Sequence, residues 1–283
     1  MLKLPKPTLL TATVYADCIN STQNALKKAK LTACTPLILQ AEAEFNSKVT
    51  KGLIHTIARE TIINGNVTVR ELKYVYTGQM VGHANGRIHY DKLLLSAPHN
   101  LCPLCAHRDV DTLDHYLPKA KYPRLSIVPI NLIPACTVCN KGKLMEYPST
   151  PEDETLHPYY DDIEKVQWLK MHVLQTNPVS VSFYVDRPTV WSQLLFDRVS
   201  RHFESFELKK LYGTQAGREL AGMKKQLAGI YGERSNQIAV KKFLLETARS
   251  KSEVYLNLWQ AVLYRDLAAD AWFCDGGFHL IGT

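Results

Sequence analysis

Residues 102–143 read CPLCAHRDVDTLDHYLPKAKYPRLSIVPINLIPACTVCNKGK, and the expected fold follows from this segment. It contains two Cys-x-x-Cys pairs, one at its start and one near its end, with 30 residues between them. Each pair can supply two thiolates from one tight turn, at about 2.3 Å from a shared zinc ion. Four thiolates complete a tetrahedron and leave no open coordination position, so such a site stabilises a fold. We therefore expect a structural Zn²⁺ site formed by Cys102, Cys105, Cys136 and Cys139.

Two other interpretations of this cysteine pattern stay open. The four cysteines can be unrelated free thiols, or His107, close to the first pair, can replace one thiolate. The odd total of seven cysteines and their clustering argue against a secreted disulfide framework. We interpret Cys18, Cys34 and Cys274 as free, partly buried thiols, and we expect a cytoplasmic protein.

The segment between the two pairs, with the residues just after it, carries a histidine and several hard ligands. Asp114 and His115 follow a short β-like segment, and Asn131 lies in a second one. Asn140 follows the second cysteine pair, and Lys143 lies one turn later at the expected start of a helix. Carboxylate and amide oxygens suit Mg²⁺ or Mn²⁺, and an oriented histidine can act as a general base. A lysine at a helix start can contact phosphate, so these residue types suit phosphodiester hydrolysis.

The motifs CPLC, DHYLP, NL and CTVCNKGK, in this order, resemble the HNH endonucleases in their four-cysteine zinc form. This family is also called the His-Me finger or ββα-metal nucleases, and the resemblance covers about one-seventh of the chain. It implies that His115 is the general base that activates water. It also implies that Asp114 and Asn140 hold one divalent ion at the scissile phosphate, and that Asn131 orients His115 by constraining a loop. One departure is Asn140, because the third letter of the motif is histidine.

The expected fold class is α+β, with a ββα-metal core flanked by helical regions. Apolar residues at helical spacing predict a long helix from Pro36 to Ile63. Alternation of apolar and polar residues around TNPVS predicts a β-hairpin. The regions that we predict are a mainly helical N-terminal region (1–97), the HNH module (98–145), a connector with the hairpin (146–190) and a C-terminal helical region (191–283).

The net charge of +7 is concentrated in one part of the chain. Residues 198–251 hold twelve Lys and Arg against five Glu, so the rest of the chain balances near zero. A basic region of this kind suits a polyanion such as nucleic acid. Arg234, Lys241, Lys242 and Arg249 are expected near one helical stripe that can follow a phosphate backbone. The alternative is a solvated helix face without a partner.

Two functions from different classes remain open at this stage. The first is an endonuclease that acts on nucleic acid, with double-stranded DNA as the expected substrate. No run of about 18 apolar residues is present, so we expect no membrane partner. The wider sequence loosely resembles the PtuB-like HNH nucleases of bacterial anti-phage defence, which implies a partner ATPase or another defence-system protein. The second function is a catalytically inactive zinc-knuckle module that binds nucleic acid or protein.

Overall fold

A computed structural model describes residues 1–60, 63, 67–143 and 147–282. These residues form helices and two small antiparallel sheets, which confirms the α+β class. The chain divides into two compact units, Met1–Asp162 and Ile163–Thr283. The first unit contains the cysteine-rich stretch, and the predicted hairpin belongs to the second unit with the C-terminal helices. Among the described residues, no helix has both the length and the apolar character needed to span a membrane.

Unit 1 surrounds one two-stranded sheet with helices. Its elements are α1 (Thr11–Asn20), α2 (Ala25–Ala33), α3 (Thr35–Val49), α4 (Val69–Tyr74), a π-helical turn (Val75–Met80), α5 (Ala84–Leu94), β1 (Thr112–His115), β2 (Leu132–Ala135) and α6 (Thr137–Lys143). Strands β1 and β2 are antiparallel, with His115 opposite Leu132. Helix α5 packs against both strands and α6 packs against β1, so the sheet lies in the core of the unit.

Helix α1 forms although its sequence, TATVYADCIN, is rich in β-branched residues. Its buried side chains are Thr11, Val14, Tyr15, Cys18 and Ile19. Their spacing of three and four residues places them on one helical face, which packs against α3 and α5. Burial of this face outweighs the small loss of helix propensity that β-branched residues cause.

The predicted helix from Pro36 to Ile63 is wrong beyond Val49. Helix α3 ends there, and Gly52 follows with a φ of +66°. Glycine adopts this left-handed conformation without steric cost, and it commonly ends helices for that reason. A 3₁₀ turn, Ile54–Thr56, comes next, and residues 61 and 62 of the predicted helix lie outside the described residues.

Unit 2 consists of a β-hairpin packed against helices. Its elements are β3 (Leu169–Leu174), β4 (Ser180–Val185), α7 (Gln193–Ser205), α8 (Leu208–Tyr231), α9 (Gln237–Ser252), α10 (Trp259–Ala269) and α11 (Ala271–Cys274). The predicted hairpin is confirmed, since β3 and β4 pair antiparallel with Leu169 opposite Val185. Helix α8 packs against β4, and α10 packs against β3 and α9.

Candidate active site and metal centre

The four predicted cysteines form one cluster in unit 1. The sulfur atoms of Cys102, Cys105, Cys136 and Cys139 all lie within 4.8 Å of one another, and all four residues are buried free thiols. The corners of a zinc–sulfur tetrahedron with bonds of about 2.3 Å are roughly 3.8 Å apart. The cluster can therefore hold one metal ion such as zinc, and this part of the sequence prediction is confirmed.

Backbone hydrogen bonds fix the two cysteine turns. The Cys139 N–H donates to Cys136 Sγ at 3.4 Å, and the Arg108 N–H donates to Cys105 Sγ at 3.5 Å. Ala106 follows the first pair with a φ of +48°, a left-handed conformation that reverses the chain. For a residue with a Cβ this conformation costs on the order of 1 kcal/mol. The turn therefore exists because other contacts, among them the sulfur cluster, hold it.

The four thiols titrate as one interacting group, in which mutual hydrogen bonds raise the pKa of Cys102 and Cys139 and lower the pKa of Cys105 and Cys136. Hydrogen bonds from the thiols of Cys102, Cys136 and Cys139 lower the pKa of Cys105 well below its ordinary value. Burial acts to lower the pKa of the nearby Arg108 guanidinium, but the charge of the cysteine sulfurs outweighs burial and raises it overall. A thiolate is the form of cysteine that ligates a metal, and the lowered pKa favours that form at Cys105 and Cys136.

His115 lies at the end of β1, and its ring orientation is fixed by one backbone carbonyl. The side chain is only 7% exposed, and its Nε2 lies 2.9 Å from the oxygen of Ser126. A carbonyl oxygen can only accept, so Nε2 carries the hydrogen and Nδ1 keeps its lone pair. Burial, with a further contribution from the Lys119 charge, lowers the pKa of His115 to about 3. The imidazole is therefore neutral near pH 7 and can accept a proton at Nδ1.

The π-helical turn places an aromatic ring against this histidine. The Tyr76 ring meets the His115 ring edge to face, with centroids 4.4 Å apart and an angle of 74°. Its hydroxyl lies 3.5 Å from the Leu113 carbonyl oxygen on β1. A π-helical turn is rare and occurs often at functional sites. In this unit it holds Tyr76 where the ring restricts rotation of His115.

Asp114 and Lys143 form a buried ion pair beside His115. Lys143 Nζ lies 3.2 Å from Asp114 Oδ2 and 2.6 Å from the Tyr116 carbonyl oxygen. It also contacts the His115 carbonyl oxygen at 3.3 Å. Burial raises the pKa of Asp114, and the Lys143 charge opposes that rise. The Lys143 ammonium thus balances the charge of the Asp114 carboxylate in the interior of unit 1.

The predicted role of Lys143 at a helix start therefore needs correction. Helix α6 already begins at Thr137, so Lys143 lies almost two turns into the helix, far from its N-terminal N–H groups. Its side chain is 8% exposed and engaged with three oxygens. A buried and already satisfied ammonium does not present its charge to a phosphate.

Asn131 fastens the loop that carries the Ser126 carbonyl. The side chain is fully buried at the end of a 3₁₀ turn just before β2. Its Oδ1 accepts from the Leu117 N–H at 2.8 Å, and its Nδ2 donates to the carbonyls of Leu117 and Leu125, each at 3.1 Å. Leu125 immediately precedes Ser126, so the geometry fits the predicted action of Asn131 on His115 through the loop.

Asn140 lies in α6, the helix that packs against β1. It stands three residues before Lys143, and residues with this spacing share one face of a helix. Because Lys143 reaches Asp114 from α6, Asn140 lies on the same side, one turn earlier. Asn140 is half-buried, and its backbone N–H donates to the Cys136 carbonyl. The predicted ligands Asp114 and Asn140 thus belong to two elements that pack against each other.

The basic residues predicted in the C-terminal region belong to unit 2. Lys241 and Lys242 are exposed on α9, and Lys242 Nζ lies 3.9 Å from Glu246 Oε1. Arg234 is exposed but lies in the turn between α8 and α9. The predicted single helical stripe is therefore wrong for Arg234, because the helix that carries the two lysines begins only at Gln237.

Three residues near His115 were missed by the sequence argument. Ser126 acts through its backbone carbonyl, which every residue type has, so the sequence carries no signal for it. Tyr76 lies 39 residues before His115 and comes into contact only through the fold. Lys119 stands in the quoted stretch, and its Nζ lies 5.0 Å from the centroid of the Tyr76 ring. The position of Lys119, four residues after His115, was a signal in the sequence that could have indicated a cation near the histidine.

Comparisons with known proteins add one relative. No family model matches the sequence, and no solved structure matches it. The chain is similar to protein ea31 of Escherichia phage lambda, with 28% identity over 307 aligned residues. The alignment covers 98% of this chain and 100% of the phage protein. The similarity thus extends over both units and is not confined to the cysteine-rich stretch.

Proposed function

We propose that this chain is a metal-dependent endonuclease of the HNH type that hydrolyses phosphodiester bonds, with DNA as its substrate. The observation that carries the proposal is the buried His115, whose Nε2–H donates to the Ser126 carbonyl beside the buried carboxylate of Asp114. Burial of ionisable side chains is costly, and functional sites are where proteins commonly accept that cost. A sheet with a purely structural role has no need of this pair.

His115 is the general base in the proposed reaction. Its Nδ1 takes a proton from the water that attacks the phosphorus atom. The Ser126 carbonyl holds the hydrogen on Nε2, and Tyr76 restricts the ring, so the accepting nitrogen is fixed in direction. Burial lowers the pKa of His115, so the ring is neutral at physiological pH, and the same shift makes Nδ1 a weaker base than an exposed imidazole.

Asp114 and Asn140 are the residues that would hold a catalytic Mg²⁺ or Mn²⁺ ion. Their donor atoms are hard oxygens, and they come from β1 and α6, which pack together. Such an ion would neutralise charge that develops on the scissile phosphate and the leaving oxygen. Lys143 favours the ionised form of Asp114, which burial opposes, and an ionised carboxylate is the form that binds a cation.

The four-cysteine cluster has a structural role in this proposal, with zinc as its ion. Four thiolates leave no position for water, so the cluster itself does not hydrolyse. The cluster joins the turn that precedes β1 to the start of α6. Strand β1 carries Asp114, and helix α6 carries Asn140. Zinc therefore maintains the geometry of the proposed active site.

The charge of unit 2 supports DNA as the substrate. The exposed lysines of α9 and Arg234 offer cations to a phosphate backbone.

Reduced cysteines suit a cytoplasmic protein, where thiols stay free. We further propose that the nuclease acts with a partner ATPase or another protein of a defence system, as the loose resemblance to PtuB-like nucleases implies.

One observation favours the alternative of a zinc-knuckle module that only binds nucleic acid or protein. Lys143 Nζ contacts Asp114 Oδ2, so a lysine cation already balances the carboxylate assigned to the catalytic ion. If this ion pair persists in solution, the module is stable and catalytically inactive. Binding without cleavage under any divalent ion would then be the outcome.

Plasmid nicking with two aspartate variants separates these functions. We expect zinc-loaded wild-type protein to nick supercoiled plasmid with Mg²⁺ or Mn²⁺, and Asp114→Asn to lose at least about 100-fold of that rate. Asp111→Asn is the matched control, because Asp111 is exposed three residues earlier and accepts a hydrogen bond from Thr137. Cleavage by Asp114→Asn at the wild-type rate would refute the ion site, and binding without nicking would favour the alternative.

A further inference from the structure

A second basic surface lies in unit 1, outside the region where the sequence concentrates its charge. It is a groove of about 500 Å³ between α2 and the helical segment formed by α4 and the π-helical turn. The residues that line the groove are Lys27, Arg70, Glu71, Lys73, Tyr74 and Thr77. Most of them lie three or four residues apart in α4 and the π-helical turn, so they share one face. We call this surface the α4 groove.

The α4 groove is cationic although one carboxylate lines it. Glu71 is the third residue of α4, and its Oε2 accepts from the Thr68 N–H at 2.8 Å and from the Thr68 hydroxyl at 2.9 Å. This capping box engages the carboxylate at the start of the helix. Lys27 lies over the Tyr74 ring, 4.9 Å from its centroid, which keeps a third cation at the rim beside Arg70 and Lys73.

The cationic surface continues from the groove to the proposed active site. Lys73 is close enough to Lys119 for their charges to interact, and Lys119 interacts in turn with Asp114. Lys119 also lies over Tyr76, the ring that contacts His115. One helical segment therefore carries both the wall of the groove, at Tyr74, and the support of the proposed base, at Tyr76.

We infer that the α4 groove, extended by Lys119, binds the phosphodiester backbone of the DNA strand on one side of the bond that is cut. The inference rests on the proposed function and names a substrate site for it. Phosphates fit this surface because its cationic residues, which outnumber the single carboxylate of Glu71, are half-buried lysines and an exposed arginine that can contact backbone phosphates of any sequence. We therefore expect the α4 groove to bind DNA of any base sequence with similar affinity.

DNA binding by two matched double variants tests the α4 groove. The probe is a fluorescently labelled DNA duplex of about 20 base pairs, without added Mg²⁺ or Mn²⁺, so that binding is measured apart from cleavage. Arg70→Ala/Lys73→Ala is expected to bind the duplex roughly tenfold or more weakly than the wild type. The slope of log affinity against log salt concentration is expected to become shallower, by the equivalent of about two released ions. Lys51→Ala/Lys92→Ala removes the same charge from exposed positions outside the groove and is expected to bind like the wild type.

The results separate this inference from the proposed function. Weak binding by the groove variant alone, with unchanged zinc content and circular dichroism, supports the groove even if the wild type does not cut DNA. Wild-type affinity in the groove variant would overturn the groove even if the protein cuts DNA. An undetectable affinity of the wild type for the duplex would overturn it too. Stronger competition by an unlabelled RNA duplex of the same sequence would overturn the assignment to DNA.

Discussion

The two sheets of the molecule bury their residues in different ways. In β3 buried and more exposed residues alternate, with Leu169 and Met171 on the packed face, and in β4 Phe183 is the buried residue. In β1 and β2 every residue after Thr112 is buried, although the strands have only four residues each. Alternation is typical of a hairpin that covers a core with one face. The smaller sheet is buried uniformly because α5 packs against both of its strands and α6 packs against β1, and this burial includes the ionisable residues Asp114 and His115.

The same contrast is visible in one histidine on each sheet. His115 is buried and held by the Ser126 carbonyl. His172 on β3 is exposed and stacks on Tyr184, with ring centroids 4.2 Å apart. Both histidines lie on strands, so the difference in their burial comes from the groups that surround each side chain. His172 is therefore a suitable control for every experiment on His115.

Removal of zinc should have the largest effect, and only on unit 1. Structural zinc sites contribute on the order of 10 kcal/mol to folding, so chelation or Cys136→Ser should unfold the smaller sheet. All four tryptophans, Trp168, Trp191, Trp259 and Trp272, belong to unit 2. We expect far-ultraviolet circular dichroism to fall while tryptophan emission stays unchanged.

Cys274→Ser is the control for the zinc experiment, because Cys274 is buried in unit 2 and lies outside the cluster. It should retain the wild-type zinc content. A change of tryptophan emission at the same chelator concentration would show that the two units depend on zinc together, contrary to this account.

Two asparagines give the next comparison, because each fastens the backbone near one sheet with three hydrogen bonds. Asn131 bonds to Leu117 and Leu125, and Asn257 bonds to the backbone at the start of β3. Asn131→Ala should lower the free energy of unfolding of unit 1 by about 2–4 kcal/mol, since buried backbone groups lose their partners, and Asn257→Ala should cost unit 2 less because its hydrogen bonds are only partly buried. Chemical denaturation measures this loss.

Cleavage should distinguish the two asparagine variants. Asn131→Ala also releases the loop that holds the Ser126 carbonyl, so we expect slower cleavage at a temperature where the variant is folded. Asn257→Ala should cut at the wild-type rate. Equal cleavage by both variants would show that the loop does not position His115.

The pH dependence of stability should differ by about 2 kcal/mol between wild type and His115→Gln. A histidine in an unfolded chain has a pKa of about 6.5, and burial lowers the pKa of folded His115 to about 3. Between these values the unfolded state binds one more proton, so the free energy of unfolding falls as the pH falls. From pH 7 to pH 5 this loss is about 2 kcal/mol, and glutamine abolishes it.

Urea denaturation at several pH values, followed by circular dichroism in the presence of zinc, measures this difference. His172→Gln should keep the wild-type dependence on pH, because that side chain is exposed in the folded state. An identical dependence in His115→Gln and wild type would contradict the burial of a neutral His115.

Short motifs with a fixed spacing were predictable from the sequence, and contacts across long separations were not. The two cysteine pairs specify their cluster because a metal accepts few geometries, and the alternation in β3 and β4 specifies a hairpin. The contact of Tyr76 with His115 depends on the packing of a π-helical turn, which no residue pattern indicated. Lys143 was predicted at a helix start, but α6 begins at Thr137, inside the second cysteine pair, so Lys143 is the last residue of the helix.

Helix ends were harder to predict than helix faces. The apolar spacing after Pro36 continues past Val49, so periodicity alone extended α3 too far, and Gly52 was the stop signal. In α1 the β-branched composition obscured a clear helical spacing of the buried residues. In both cases tertiary burial or one glycine conformation decided the structure, and average propensity did not.

Single-turnover cleavage of a labelled DNA duplex by zinc-loaded protein with Mn²⁺ tests whether His115 is the general base of an endonuclease. We expect His115→Ala to cut about 100- to 10,000-fold more slowly than the wild type, with unchanged zinc content and melting temperature. His172→Ala, the histidine of the other sheet, should cut within about twofold of the wild type, because no role in catalysis is assigned to it. Cleavage by His115→Ala at the wild-type rate would contradict the account.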